Sequence, residues 1–115
     1  LSFTDSVLNI KVIDSVEEFM NEGYSMHHCV FNNEYYKKPD SLILSARING
    51  KRCETVEVSL RSMEVVQSRG VNNQNSPYHN RIIDLVTNNM MQIRQVQQDG
   101  KNTHNIDRRK DQEVN

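Results

Sequence analysis

The sequence predicts an α+β domain: a small antiparallel sheet, formed by a three-strand meander preceded by an N-terminal strand, with helices flanking it. The first observation is Asn49-Gly50, the strongest short hairpin signal, which separates two runs of strand-forming residues at 42–48 and 52–59. The second is a third such run at 63–69, joined to the preceding one by the short connection 60–62. The third is apolar spacing typical of helices on either side of these runs.

The N-terminal part of the chain predicts one strand followed by one short helix. Polar and apolar residues alternate over residues 7–13, which is the period of a half-buried strand. Asp14 and Ser15 then offer a helix N-cap, and Ser15 with Glu18 fits a capping box. Gly23 is well placed to end this helix. The apolar stripe of the helix consists of Val16, Phe19 and Met20.

A longer helix is predicted after the meander. Residues 70–75 form a polar loop, Ser76 is a good N-cap, and Pro77 suits the first helical position. Apolar residues then recur at helical spacing, at Ile82, Val86, Met90 and Ile93. This helix is long enough to cover one face of the sheet.

The chain is predicted to hold one domain with short ends, as its 115 residues allow. Residues 1–6 are expected to be a leader or the start of a fragment, and residues 7–96 the α+β domain. Residues 97–115 lose the apolar stripe and are expected to be a polar, flexible or extended C-terminal tail. The segment 31–40 predicts a loop or a helical turn that ends at Pro39.

Composition limits the classes of function. With 14 basic and 15 acidic residues the net charge is -1, which disfavours strong non-specific binding of nucleic acid by the whole domain but leaves room for a local basic patch. Cys29 and Cys53 do not make a disulfide framework. No apolar run is long enough to cross a bilayer, and no signal peptide is visible. The expected location is the cytoplasm, with free thiols and no membrane partner.

The stretch from Met26 to Cys29 gathers the most reactive side chains. His28 beside Cys29 permits a thiol nucleophile with a histidine base, although a buried cysteine is most often a small apolar residue. A zinc site would need Cys53 or His79 in addition, and the second spaced pair of ligands typical of such sites is missing. Neither a metal nor a cofactor is therefore predicted.

Strand register predicts a polar cluster on one face of the sheet. A two-residue turn at Asn49-Gly50 pairs Ala46 with Cys53 and Leu44 with Thr55, and a three-residue connection pairs Glu57 with Val65. The resulting face holds Leu42, Leu44, Ala46 and Val65 beside Cys53, Thr55, Glu57, Gln67 and Arg69. These side chains form a functional site or a solvent-facing set of ordinary cross-strand pairs. A slip of one residue would scatter them over both faces.

The order of several short motifs resembles that of the PcfJ-like proteins of bacterial conjugative plasmids, integrated elements and phages. The motifs are Glu22-Gly23, Met26-His27-His28-Cys29-Val30, Ser41-Leu42-Ile43-Leu44 leading to Arg47, Thr55-Val56-Glu57-Val58, Val66-Gln67, Arg69-Gly70 and Asn72-Asn73. The resemblance extends from about Val7 to Ile93. It implies a domain that lies towards the C-terminal side of a longer mobile-element protein.

The resemblance also marks individual residues. Positions that match the family are His28, Cys29, Arg47, Thr55, Glu57, Gln67, Gly70 and Asn73. Where the family often has Gly-Tyr after Cys-Val, this chain has Phe31 and then Tyr35-Tyr36, so either tyrosine could take that role. Several matched residues belong to the predicted polar cluster, which favours a functional site there.

The first hypothesis is an accessory domain that engages nucleic acid or another mobile-element protein. Arg47, Arg69 and Asn73 would hold phosphate or backbone groups, and Tyr35 or Tyr36 would stack on a base. The candidate binding residues are Tyr35, Tyr36, Arg47, Thr55, Gln67, Arg69 and Asn73.

The second hypothesis is a hydrolase or nuclease-like enzyme. Cys29 or a water would be the nucleophile, His28 the base and Glu57 the orienting or acid/base carboxylate, while Gln67 and Arg69 stabilise developing negative charge. The third hypothesis is a protein-interaction module in which the polar residues only tie the helices to the sheet.

Overall fold

Five antiparallel strands form one sheet in the computed structural model, which describes residues 1–27 and 40–95. The strands are β1 (Ser2–Asp5), β2 (Leu8–Val12), β3 (Ser41–Ile48), β4 (Lys51–Ser59) and β5 (Glu64–Arg69), and they lie in the sheet in the order of the chain. Helix α1 (Val16–Met26) follows β2, and helix α2 (His79–Asn88) follows β5 and a 3-10 turn at Val71–Asn73. The predicted α+β fold with a three-strand meander is confirmed.

The N-terminal residues differ from the prediction. Residues 1–6, expected to precede the domain, contain β1, which pairs with β2 through a turn at Ser6. Phe3 lies opposite Ile10 and is buried. Four residues with one apolar side chain are too short a pattern to predict a strand, so only the neighbouring strand reveals it.

Helix α1 begins as predicted and ends one turn later. The Ser15 hydroxyl accepts a hydrogen bond from the Glu18 backbone N–H at 3.1 Å, which confirms the N-cap. The helix continues past Gly23 to Met26, where His27 takes the left-handed conformation and its N–H donates to the Gly23 carbonyl. Gly23 and Met26 are buried, so packing extends the helix beyond the residue that favours its end.

The second helical region starts later than predicted and is interrupted. Ser76 does not cap it directly: its hydroxyl accepts from the Tyr78 N–H at 3.2 Å, and α2 begins at His79. At Asn89 the helix breaks, and the side-chain amide there donates to the Leu85 carbonyl at 2.7 Å. Helical structure resumes over residues 90–95, and the predicted tail lies outside the described residues. None of the helices in the described ranges is long and apolar enough to cross a membrane.

The two faces of the sheet differ in character. The apolar face packs against α2 and the following turns, and its cluster consists of Phe3, Leu8, Ile10, Leu44, Ala46, Val56, Val58, Ile82, Val86 and Ile93. The opposite face, here called the polar face, holds the smaller cluster Ile13, Phe19 and Ile43 beneath α1. Beside that cluster the polar face carries charged and hydroxyl side chains.

The predicted register is wrong by one residue between β3 and β4 beyond Cys53, and between β4 and β5 it is wrong by one residue next to the turn and by two beyond Val66. Ile48 pairs with Lys51 as expected, but Cys53 is an extra residue in β4, so Ala46 lies opposite Glu54. Val66 is a second extra residue, in β5, and Glu57 lies opposite Gln67. Each bulge places two residues opposite one and shifts the alternation of all that follows. Leu42, Leu44 and Ala46 therefore face away from Thr55 and Glu57.

Candidate functional site

The polar face is built from rows of side chains that cross neighbouring strands. One row runs from β2 to β5 and consists of Lys11, Ser45, Thr55 and Arg69. A second row consists of Asn9, Arg47 and Arg52. Since cross-strand partners share a face, four cationic side chains lie on this face of the sheet.

Glu22 of α1 joins the helix to these rows. Its carboxylate is fully buried and accepts hydrogen bonds from the Ser45 hydroxyl at 2.9 Å, from Arg52 Nε at 2.9 Å and from the Thr55 hydroxyl at 2.5 Å. A buried carboxylate with a cation and two hydroxyl donors is compensated for its lost hydration. Glu22 thus docks α1 and neutralises Arg52.

The other cations of the polar face have no carboxylate partner among the described residues. Arg47 donates from Nε to the Ser45 hydroxyl at 3.2 Å. Within residues 1–27 and 40–95, no ion pair is formed by Lys11, Arg47 or Arg69. Arg69 is exposed, whereas Lys11 and Arg47 are half-buried. Their positive charges lie on three different strands of one face.

Glu57 lies on the same face, beside the helix-covered part. Its carboxylate accepts from the Ser41 hydroxyl at 2.9 Å and from Gln67 Nε2 at 3.2 Å, and the residue is buried. Each oxygen therefore already has a neutral donor. The arrangement orients the carboxylate, and its chemistry is that of a fixed hydrogen-bond acceptor.

The structure brings together most of the predicted site residues that it describes. Arg47, Thr55, Glu57, Gln67 and Arg69 share the polar face, whereas Asn73 is exposed in the 3-10 turn, with φ 62. The remaining predicted site residues, His28, Cys29, Tyr35 and Tyr36, lie in the segment 28–39 outside the described residues.

Cys53, assigned from sequence to the polar cluster, does not belong to it. As the bulge residue of β4 it interrupts the alternation, and its thiol donates to the Ser76 hydroxyl at 3.3 Å.

Glu22, in contrast, was not predicted to be a member of the site. The signal for it was present, because Phe19, Glu22 and Met26 share one helical face and a carboxylate between two buried apolar residues needs partners.

A third buried carboxylate, Glu54, lies on the apolar face. One oxygen accepts from the Ser68 hydroxyl at 2.5 Å and contacts His79 Nδ1 at 2.8 Å. The other accepts from the Ser76 N–H at 2.8 Å and from its hydroxyl at 2.5 Å. Glu54 thereby connects β4, β5 and the start of α2.

Two opposing effects act on the protonation of Glu54. Burial raises the pKa of this carboxyl, but the hydrogen bonds from Ser68, Ser76 and His79 together outweigh that cost, so the pKa is lowered from its ordinary value of 4.5. Glu54 is therefore ionised at neutral pH. Among the described residues, no group of three or more His, Cys, Asp or Glu side chains is placed to hold a metal ion.

The fold and the site define a class: a small antiparallel α+β domain with helices on both faces, each docked to the sheet by a buried glutamate. The chain belongs to the PcfJ-like protein family, whose model matches residues 1–83. The match includes β1 and the whole sheet, so it begins before the predicted start at Val7 and ends within α2. Searches of curated proteins and of solved structures returned no match.

Proposed function

We propose that the polar face of the sheet binds a single strand of nucleic acid, and that the chain is an accessory domain of a bacterial mobile-element protein. Membership of the PcfJ-like family supports the mobile-element setting. The observation that carries the binding proposal is the placement of Lys11, Arg47 and Arg69 on one face with no ion-pair partner in the described part of the chain.

The spacing of these cations suits a phosphate backbone. Lys11 on β2 and Arg69 on β5 are separated by three strand spacings, or about 14 Å. Arg47 lies between them on β3. Three cations spread over such a distance contact several phosphates of one strand rather than a single anion.

A single strand fits this surface better than a duplex. The cations lie on a sheet face, as in platforms that bind extended strands, and no described helix projects a basic stripe suited to a major groove. Tyr24 of α1 is 85% exposed on the helix that lies over the polar face. An exposed aromatic ring of this kind can stack on a base.

The near-zero net charge is compatible with this proposal. Glu22 and Glu57, two carboxylates of the polar face, are buried and already hydrogen-bonded. Glu64 is exposed on the same face, opposite Ser59 and at the other end of β5 from Arg69. Lys11, Arg47 and Arg69 therefore keep their positive charge within the described residues although the whole chain carries -1. Binding is expected to be modest and sensitive to salt.

The test is fluorescence anisotropy with labelled single-stranded oligonucleotides over a range of salt concentrations. Three phosphate contacts predict a slope of about −2 for the logarithm of the association constant against that of salt concentration, and Arg47→Ala or Arg69→Ala is expected to reduce its magnitude by about 0.7. Arg61→Ala is the matched control, because Arg61 lies in the β4–β5 turn and is 85% exposed beside Asp40. Absence of binding at low salt would refute the proposal and point to a protein partner.

A second candidate is the hydrolase or nuclease-like enzyme. The observation that favours it is the shared face of Glu57, Gln67 and Arg69, in which Gln67 donates to the carboxylate. In that case wild type cleaves DNA or RNA in the same assay, with or without Mg²⁺. Cleavage that disappears in His28→Ala without loss of folding would favour the enzyme, and binding without cleavage the accessory domain.

A further inference from the structure

A groove runs along β5 on the side of α2. It has a volume of about 330 Å³, and its polar lining consists of Gln67, Ser68, Arg69, Asn75 and His79, with Ile83 and two valines completing it. β5 is an edge strand of the sheet, so the groove opens beside the polar face. Arg69 belongs both to the groove and to the row of cations on that face.

The buried carboxylate of Glu54 fixes how His79 enters this groove. An ionised carboxylate has no proton to donate, so the 2.8 Å contact requires His79 Nδ1 to be the donor. In the Nδ1–H tautomer, Nε2 is the acceptor. The Glu54 side chain is fully buried, whereas the His79 side chain is 21% exposed and lines the groove.

A ligand of this groove must therefore offer an anion and a hydrogen-bond donor. Arg69 supplies the cation for the anion, and His79 Nε2 accepts from the donor. A ribose phosphate meets both requirements with its phosphate and its 2′-hydroxyl. A deoxyribose phosphate lacks the donor and would leave the acceptor without a partner.

We infer that the strand bound by this domain is RNA, and that His79 Nε2 selects it by accepting a hydrogen bond from a ribose 2′-hydroxyl. The inference rests on the proposed function, since the strand reaches the groove by crossing Arg69 from the polar face. It assigns a specificity-determining role to His79, while the cations of the polar face provide most of the affinity.

The experiment compares three labelled oligonucleotides of one sequence: single-stranded RNA, DNA and 2′-O-methyl RNA. Wild type is expected to bind RNA about three- to ten-fold more tightly than the other two, the value of one hydrogen bond. In His79→Asn, whose amide can still donate to Glu54 but which lacks the Nε2 acceptor, the preference is expected to vanish while DNA affinity stays unchanged.

Ser76→Ala controls for a structural effect, because Ser76 bonds to Glu54 but is not among the residues that line the groove. It removes the hydroxyl hydrogen bond of Glu54, at 2.5 Å, and leaves the Ser76 N–H and His79 in place, so the RNA preference should persist. Equal binding of RNA and DNA by wild type, or a preference that survives in His79→Asn, would overturn this inference alone. Binding of none of the oligonucleotides would overturn the proposed function as well.

Discussion

Replacement of Glu54 by glutamine tests the role of the buried carboxylate most directly. In wild type, Glu54 is completely buried and accepts hydrogen bonds from Ser68, from His79 and twice from Ser76. Glutamine has nearly the same shape but only one acceptor oxygen, and its amide group faces donors. At least one pair of donors therefore loses its acceptor.

The expected cost follows from these contacts. If the glutamine oxygen stays with the Ser76 N–H, its amide group faces Ser68 and His79, which can reorient and accept instead. The loss of two charge-assisted hydrogen bonds, partly offset by that reorientation, is expected to lower the free energy of unfolding by about 2–3 kcal/mol. The total free energy of unfolding of a small domain is only about 5–15 kcal/mol, so this loss is a large part of it.

Urea unfolding followed by circular dichroism measures this difference at several pH values. The folded-state pKa of Glu54 is lowered, so its stabilising contribution is present above the ordinary value of 4.5 and is lost as the pH falls through the folded-state pKa. The difference in the free energy of unfolding between wild type and Glu54→Gln should be constant between about pH 6 and 8 and should decrease below about pH 4.5.

Glu64→Gln is the control for charge alone, because Glu64 is exposed at the start of β5. That variant is expected to change the free energy of unfolding by less than about 0.5 kcal/mol. The explanation given for Glu54 would be refuted if Glu54→Gln lowered the free energy of unfolding no more than this control does, or if that loss were as large in acid as at neutral pH.

Three further predictions concern stability and are measured by the same unfolding assay. Glu22→Leu leaves the Arg52 guanidinium and two hydroxyls without their acceptor, and should cost about 3–5 kcal/mol; a loss under 1 kcal/mol would contradict its docking role. Gly70→Ala should cost more than Gly50→Ala, because a Cβ at Gly70 would lie 2.5 Å from the Gln74 carbonyl oxygen whereas Gly50 has open space and only a positive φ; equal losses would contradict the close approach. Asn72 has φ 56, so Asn72→Val should cost about 1–2 kcal/mol and Asn72→Gly much less; the reverse order would contradict the backbone argument.

The elements were predictable where the signal is local. Asn49 and Gly50 have the positive φ angles that their hairpin turn requires. Ser15 caps α1 because the backbone N–H that its hydroxyl accepts from belongs to Glu18, only three residues further along the chain. The membership of Thr55, Glu57, Gln67 and Arg69 in one face was also predicted, although the partners assigned to them were not. These four stay together because the pairing of β4 with β5 differs there from the predicted one by two residues, and a shift of two leaves each side chain on the same face.

The buried Glu54 network could not be predicted in the same way. Its donors come from β5, from the loop before α2 and from α2 itself, so no spacing along the chain brings them together. Glu54 was overlooked because the predicted register did not place it on the apolar face. Once it faces the core, the need to satisfy a buried carboxylate accounts for Ser68, Ser76 and His79 at once.

By itself the sequence determined the class of fold, the Asn49-Gly50 turn and the type and order of the elements from β2 to α2, because periodicity, caps and turn residues act over a few neighbouring positions. Only the tertiary structure decided the register and thereby the two faces. Cys53 and Val66 look like ordinary strand residues, and only the pairing of β4 with its neighbours makes them bulges. Each bulge inverts the side-chain alternation, so the faces on which Glu54, Glu57 and Arg69 lie depend on long-range packing that no local pattern specifies.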